Sequence, residues 1–472
     1  QKANVNPPNL DASTIADCAR LPRRGVVYWI APSPARAHVI WAGTDDGLIW
    51  LTRDEGAHWK NVSIPGLGPW SKIGIIDASH FDAQSAYAAV DRHRLDDNRP
   101  YVYKTHDGGA HWTAIAGGIP SGEWINVVRE DPKRRGLLYA GGEHHVYVSF
   151  NDGGNWQSLQ LNLPTASMRD ITFNGDDVIL GTHGRGIWIL DNASPLRQTT
   201  AAVAKSTAHL FAPAVAYRTR AGSDDGTPLP PDEYALPNPQ TGAALDYYLA
   251  SGSGRVRLEI ADASGRTVRQ WSSSDPPVTI DPKLVDIPAF WLQPQLPPPS
   301  TPGAHRFYWD LHYAGMTGAR RRRGGNGPLA PPGHYLVRLT AGGRTYTQAL
   351  QLRRDPTYPA TDADLRAQFA LTVAIENEAA RVRTAATRVA ALLKSRPSLQ
   401  ALAGTAPVSS PDDSVGTPAQ DFGSLRFIAD ALANLEGAVQ SGDARPTADM
   451  YAAFARLRVK AARAFAQVNG SK

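Results

Sequence analysis

The sequence of 472 residues has a single cysteine, Cys18, and three methionines. One cysteine excludes an intrachain disulfide framework and any CxxC-type zinc or haem attachment motif. No run reaches the roughly 18 to 20 apolar residues of a spanning helix. Charge of one sign is also lacking: 49 Lys and Arg against 44 Asp and Glu leave +5, too little to imply nucleic acid. No serine nucleophile elbow, phosphate loop or dinucleotide fingerprint sits in the strand and helix context it needs. What is abundant is glycine (42), proline (37) and tryptophan (12), the composition of a turn-rich globular chain of two to four domains.

The tryptophans expose a repeat. Thr52-Arg-Asp54-Glu-Gly56-Ala-His-Trp59 matches Thr105-His-Asp107-Gly-Gly109-Ala-His-Trp112, and a third copy, Ser149-Phe-Asn151-Asp-Gly153-Gly-Asn-Trp156, has Asn for Asp. The pattern is S/T-x-D/N-x-G-x-x-W, and its tryptophans recur about 53 and about 44 residues apart, the period of a propeller blade. Each copy sits in a frame of short β-branched and aromatic runs. First runs are Val26–Ile30, Lys72–Ile76, Trp124–Val128 and Arg169–Phe173; second and third runs follow each of them, and a fourth begins at each repeat tryptophan. Such runs, divided by Gly and Asp turns, read as four-stranded antiparallel blades: three complete, and a fourth that stops after its third strand. Within the motif, Ser/Thr and Asp can bond turn backbone, Gly supplies a permissive φ, and Trp packs between sheets.

The motif resembles the Asp-box, or BNR, repeat of sialidases, xyloglucanases and sortilin-type receptors. More specifically, the run resembles the C-terminal half of large bacterial sortilin-like BNR proteins. The resemblance implies a propeller larger than four blades, so the remaining blades are expected from upstream sequence, a second chain or a symmetry mate. The chain opens on Gln1 and reads as processed or as a part of a longer one, with residues 1–24 a linker. It also implies an extracytoplasmic location, periplasmic or secreted, and box residues Asp54, Gly56, Trp59, Asp107, Gly109, Trp112, Asn151, Gly153 and Trp156 that are structural.

The fold class expected is mainly β: a partial propeller over 25–197, a connection over 198–242, a β-sandwich over 243–356 and helices over 357–472. The sandwich is read from alternating strands and Gly-rich hairpins such as Gly342-Gly343, and it resembles the Ig-like module of flagellar hook-capping type. Two insertions interrupt it, and the second carries Arg320-Arg-Arg-Arg323, read as a solvated loop that could otherwise bind an anionic group. After Thr361, apolar residues step by three and four (Ile375, Ala379, Val382, Ala386, Val389, Leu393), giving a helical hairpin or bundle with one apolar stripe per helix.

Blade geometry localises the chemistry. Turns between second and third strands open on the same face as entries to the first strands, and the box turns lie on the opposite face. The mouth then gathers Asp45, Asp46, Asp91, Arg92, His93, Glu143, His144, His183 and Arg185 from the turns, with Arg24, Lys72, Trp124 and Arg169 at strand entries. Two functions compete. Mixed charge beside Trp124 suits capture of a protein, peptide or glycan without catalysis. Asp45, Asp46, Asp91 and Glu143 would instead serve a glycoside hydrolase as an acid and a base or nucleophile at a set separation. A metal site from His93, Glu143, His144, His145 and His183 is disfavoured, because adjacent residues of a strand point to opposite faces; no metal or cofactor is expected.

Overall fold

The computed structural model describes residues 25–220, 240–252, 254–277, 296–315, 327–404 and 423–470. The expected linker 1–24 with Arg24, and the run Arg320–Arg323, lie outside the described residues. The chain divides into two compact units, Gln1–Ala204 and Lys205–Lys472.

The first unit is a run of propeller blades. Blade 1 is β1 (Val27–Pro32), β2 (Ile40–Thr44), β3 (Ile49–Thr52) and β4 (Lys60–Asn61). Blade 2 is β5 (Lys72–Ala78), β6 (Ala86–Asp91), β7 (Val102–Thr105) and β8 (Thr113–Ala114). Blade 3 is β9 (Ile125–Glu130), β10 (Leu138–Gly142), β11 (Val146–Ser149) and β12 (Gln157–Ser158). Each is a four-stranded antiparallel meander, whereas blade 4 has three strands, β13 (Ser167–Asn174), β14 (Asp177–His183) and β15 (Ile187–Leu190). The first strands β1, β5, β9 and β13 lie successively against one another.

Alternation explains the stacking. In blade 1, register places Ala31, Trp41 and Leu51 side by side on one face, and they pack with Ile73, Ile76, Ala88 and Val90 of blade 2. The next seams bury Tyr87, Ala89 and Val102 with Val128, Leu138 and Trp156, then Tyr139 and Val148 with Ile171, Val178 and Leu180. Two short helices, α1 (Ser194–Gln198) and α2 (Ala201–Ala204), close the unit. The first is held by Arg197, whose Nε donates to both oxygens of the fully buried Asp131 at 2.9 Å, and by Arg134, which donates to the Leu196 and Thr199 carbonyls.

The second unit begins inside the stretch expected as connection. Its strands β16 (Ala208–Leu210) and β17 (Ala216–Arg218) are too short to register as strand patterns, yet both join sheets. One sheet is β16, β18 (Ala243–Leu249) and β21 (Gly303–Trp309); the other, in order, is β17, β23 (Arg344–Arg354), β22 (Gly333–Ala341), β19 (Arg257–Asp262) and β20 (Thr267–Ser272). Between them lie Leu245, Tyr247, Leu258, Ile260, Trp309, Val337 and Leu339. The β22–β23 turn is Gly342-Gly343, both at positive φ (57° and 72°), as a two-residue hairpin requires.

Helix α3 (Asp362–Leu392) starts with a capping box: Thr361 Oγ1 accepts from Asp364 N, and the Asp364 side chain accepts from Thr361 N at 3.0 Å. Its buried stripe, Leu371, Ile375, Ala379, Val382 and Val389, packs with α5 (Leu425–Val439) and α6 (Ala448–Gly470), with the short α4 (Gln400–Ala403) beside them. Arg218 of β17, buried in this unit, donates to Gln368 of α3 at 2.8 Å and pairs with Asp443 at 3.3 Å.

Candidate functional site

The boxes close one circuit three times. In the first, Thr52 Oγ1 donates to Asp54 and accepts from Gly56 N, while Asp54 accepts from His58 N and pairs with the His58 ring at 2.7 Å. Thr105, Asp107, Gly109 and His111 repeat it with a ring distance of 2.7 Å. Asn151 does the same with its amide oxygen, accepting from Ser149 Oγ and Asn155 N. Hydrogen bonds from His58 and Thr52 hold the Asp54 carboxyl down to about 2, and Asp107 is lowered by the matching bonds from His111. His58 and His111, legible as surface residues, are exposed and also complete the circuits.

On the opposite face, the turns between second and third strands meet the entries to first strands, and there an unbroken line of side chains crosses three blades. Lys72 Nζ sits 4.3 Å above the Tyr28 ring and 3.3 Å from Asp91. Asp91 is buried and pairs with the His93 ring at 2.5 Å. His93 stacks on Trp124 with centroids 5.1 Å apart and planes at 20°. Trp124 meets His144 edge-on at 6.1 Å, His144 lies 6.2 Å from His145, and His145 lies 6.4 Å from Tyr147. Burial pushes the Asp91 carboxyl up, but hydrogen bonds from His93 and the charge of Lys72 outweigh it, so its pKa ends below the ordinary range.

The imidazole pair is organised by Glu123, which the sequence reading passed over. Its Oε1 accepts from the backbone N–H groups of His144 and His145 at 2.7 and 3.0 Å, and its Oε2 lies 3.1 and 3.3 Å from their ring nitrogens. Both histidines sit in the turn rather than on a strand, so the face alternation expected of neighbours does not apply. Glu123, His144, His145 and Tyr147 line a cavity of about 520 Å³ with Pro120, Ser121, Gly122 and Ser158. The signal for Glu123 was its place at a first-strand entry, directly before Trp124. Among the described residues no group of three or more His, Cys, Asp or Glu is arranged to hold a metal ion.

The other mouth residues are mostly engaged. Asp45 accepts from Val26 N at 2.8 Å, and the buried Asp46 accepts from Thr44 Oγ1. Arg92 donates to Asp97 and Ser71. Glu143 accepts from Ser167 Oγ at 2.6 Å and from Asn126 Nδ2 at 3.3 Å, with Arg169 at 3.7 Å. His183 and Arg185 are exposed on blade 4, and among the described residues their side chains make no hydrogen bond, ion pair or ring contact with the line.

A second cavity, about 380 Å³, lies on the box face at the seam of blades 2 and 3. There Asp152 accepts from Tyr87 Oη at 2.7 Å and Lys104 Nζ at 2.6 Å and lies 2.9 Å from His106, while Glu130 accepts from Ser79 Oγ, Tyr87 Oη and Gly136 N. These bonds satisfy both carboxylates and staple the two blades.

No family model matches the sequence, and no curated protein matches it. Solved structures do resemble it. YCF48 from Cyanidioschyzon merolae is 18% identical with a TM-score of 0.29, over 37% of this chain and 55% of that one. YCF48 bound to D1 peptide is 14% identical with a TM-score of 0.29, over 53% and 70%. An ancestral GH74 enzyme is 16% identical with a TM-score of 0.30, over 55% and 34%. At these values the likeness transfers neither a fold nor a residue role to this chain.

Proposed function

We propose that this chain is an extracytoplasmic binding protein whose propeller mouth captures a peptide or glycan chain, in a ring completed by other polypeptide. One observation carries the reading: the line Tyr28, Lys72, Asp91, His93, Trp124, His144, His145, Tyr147. Flat rings and imidazoles at successive spacings of 5.1 to 6.4 Å suit stacking and hydrogen bonding along an extended polar ligand. Asp45, Asp91, Glu143, Lys72, Arg92, His144 and Arg169 then set the polarity of the mouth, and His183 and Arg185 extend it on blade 4. The runner-up, a glycoside hydrolase, needs one carboxylate as acid and another as base or nucleophile. Against it, Asp46 and Asp91 are buried and engaged, and Glu143 is shared by two hydrogen-bond donors and the Arg169 ion pair.

The test is a screen of the whole protein on peptide and glycan arrays, followed by titration of the best ligand into Trp124→Ala. Removing the central ring is expected to weaken binding about tenfold or more, from the ~0.5–1.5 kcal/mol of ring pairing plus the lost contact area. Unchanged affinity would refute the mouth. Turnover of a glycan that Glu143→Gln abolishes would favour the hydrolase.

A further inference from the structure

The three boxes share one circuit but not one surrounding. At the second box, Trp112 Nε1 donates to the Val62 carbonyl of blade 1 at 2.8 Å. At the third, Trp156 Nε1 donates to the Ile115 carbonyl of blade 2 at 2.5 Å. Val62 and Ile115 hold equivalent places, three residues beyond the box tryptophan of their own blade. The same two side chains cover the glycine of the following box. A Cβ built on Gly109 would meet Val62 Cβ at 2.6 Å, and one on Gly153 would meet Ile115 Cδ1 at 2.5 Å. Each seam is therefore a lock with two contacts: indole N–H on a main-chain carbonyl, and a branched aliphatic on glycine.

The first box has the receiving half of that lock. Its Thr52–Asp54 circuit is closed and Gly56 has the same left-handed conformation (φ 98°). Yet the nearest atoms to a Cβ on Gly56 belong to Trp59 itself, at 3.5 Å and beyond. Trp59 is 42% exposed, and its Nε1 has no hydrogen bond among the described residues. The blade face beside it is apolar: register aligns Ile30, Ala42 and Trp50 across β1, β2 and β3, and Ile30 is 59% exposed.

Resting on the proposal that other polypeptide completes the ring, we infer that this face docks one specific occupant. It is a further box-type blade whose outer strand is followed by a branched aliphatic residue that covers Gly56 and lends its carbonyl to Trp59 Nε1. A second copy of this chain does not fit the role. Val62 and Ile115 are already used in its seams, Leu159 of blade 3 packs in the core shared with blade 4, and blade 4 has three strands among the described residues. The far face of blade 4 exposes Ile187 and Ile189 but carries no box, so it specifies no such lock.

The experiment grafts a copy of blade 2 (residues 65–117) ahead of Gln1 of the full chain, leaving 1–24 as the connection. Tryptophans are labelled with 5-fluorotryptophan, Trp59 is assigned by Trp59→Phe, and its exposure is read as the fluorine shift between H2O and D2O. In the unfused chain Trp59 should show a large solvent shift, and in the fusion that shift should fall to the value of Trp156. Ile115→Asp in the graft should restore it. A graft of blade 3 (residues 118–160) with Leu at the equivalent place should bury Trp59 as well. Trp59 still exposed under both grafts overturns the inference, as does a dimer of the unfused chain, seen by sedimentation, in which Trp59 is already buried. Ligand titration at Trp124 reads the mouth independently, so failure of one reading is distinguishable from failure of the other.

Discussion

Truncating each box tryptophan to alanine makes a stringent perturbation, because the three sit in one motif with three surroundings. Trp156 is 2% exposed, packs among Tyr87, Ile115, Val128 and Tyr147, and bonds the Ile115 carbonyl. Its loss should cost about 3–5 kcal/mol, the range for emptying a large aromatic site. Trp112 is partly buried, edge-on to Trp41 at 6.1 Å, and bonds the Val62 carbonyl. Its loss should fall lower, about 2–4 kcal/mol. Trp59 is exposed and, among the described residues, makes no hydrogen bond, so its loss should stay under about 1 kcal/mol, as for surface changes generally. Trp156→Phe separates packing from hydrogen bonding and should cost about 1–3 kcal/mol, the penalty of leaving the Ile115 carbonyl unpaired. With two compact units, one global unfolding energy is ill-defined, so the assay is native-state amide exchange on peptides from residues 25–204 under increasing urea. Equal costs at Trp59 and Trp156 would refute the seam argument.

Gly153→Ala and Gly56→Ala both force an L-residue to positive φ, at about 1–3 kcal/mol each, but only Gly153→Ala also drives a Cβ into Ile115. Amide exchange should show Gly153→Ala worse by a further ~1–3 kcal/mol, and equal costs would show that the Ile115 contact carries nothing. In the sandwich and helix unit, burial presses the Arg218 guanidinium down to about 10, and Asp443 partly restores it. Asp443→Asn should destabilise that unit by about 3–5 kcal/mol, because it leaves a buried cation unpaired, and thermal melting should show it as a clear drop. Folding lowers the Asp91 carboxyl, so its contribution to stability is present above the ordinary range and is lost as pH falls through the depressed value. The acid-dependent loss of propeller stability below about pH 4 should therefore shrink in Asp91→Asn, and an unaltered pH profile would refute its role.

How much was legible followed the distance over which each feature is written. The box circuit joins residues four apart, Thr52 with Gly56 and Asp54 with His58, so the motif states its own hydrogen bonds. Blades are consecutive hairpins, and short runs such as Ala86–Asp91, divided by Gly and Asp turns, were enough to count them. Features made by distant partners were not legible. Glu123 and the two histidines it organises are separated by about half a blade, and only the return of the chain to the same face brings them together. Strand β17 is three residues long and pairs in parallel with β23, far along the chain, so Ala- and Pro-rich text around it reads as connection. Arg218 and Asp443 lie farther apart still. Trp59 is the instructive case, since its motif is as complete as those around Trp112 and Trp156 and no property of the box distinguishes it. The difference lies wholly in the residue that covers the glycine, contributed by the preceding blade at Gly109 and Gly153. A box thus specifies its own turn, whereas the burial of its tryptophan reports on the neighbouring blade. The exposure of Trp59 is for that reason the observation from which a docking blade is inferred, and a repeat motif read alone cannot supply it.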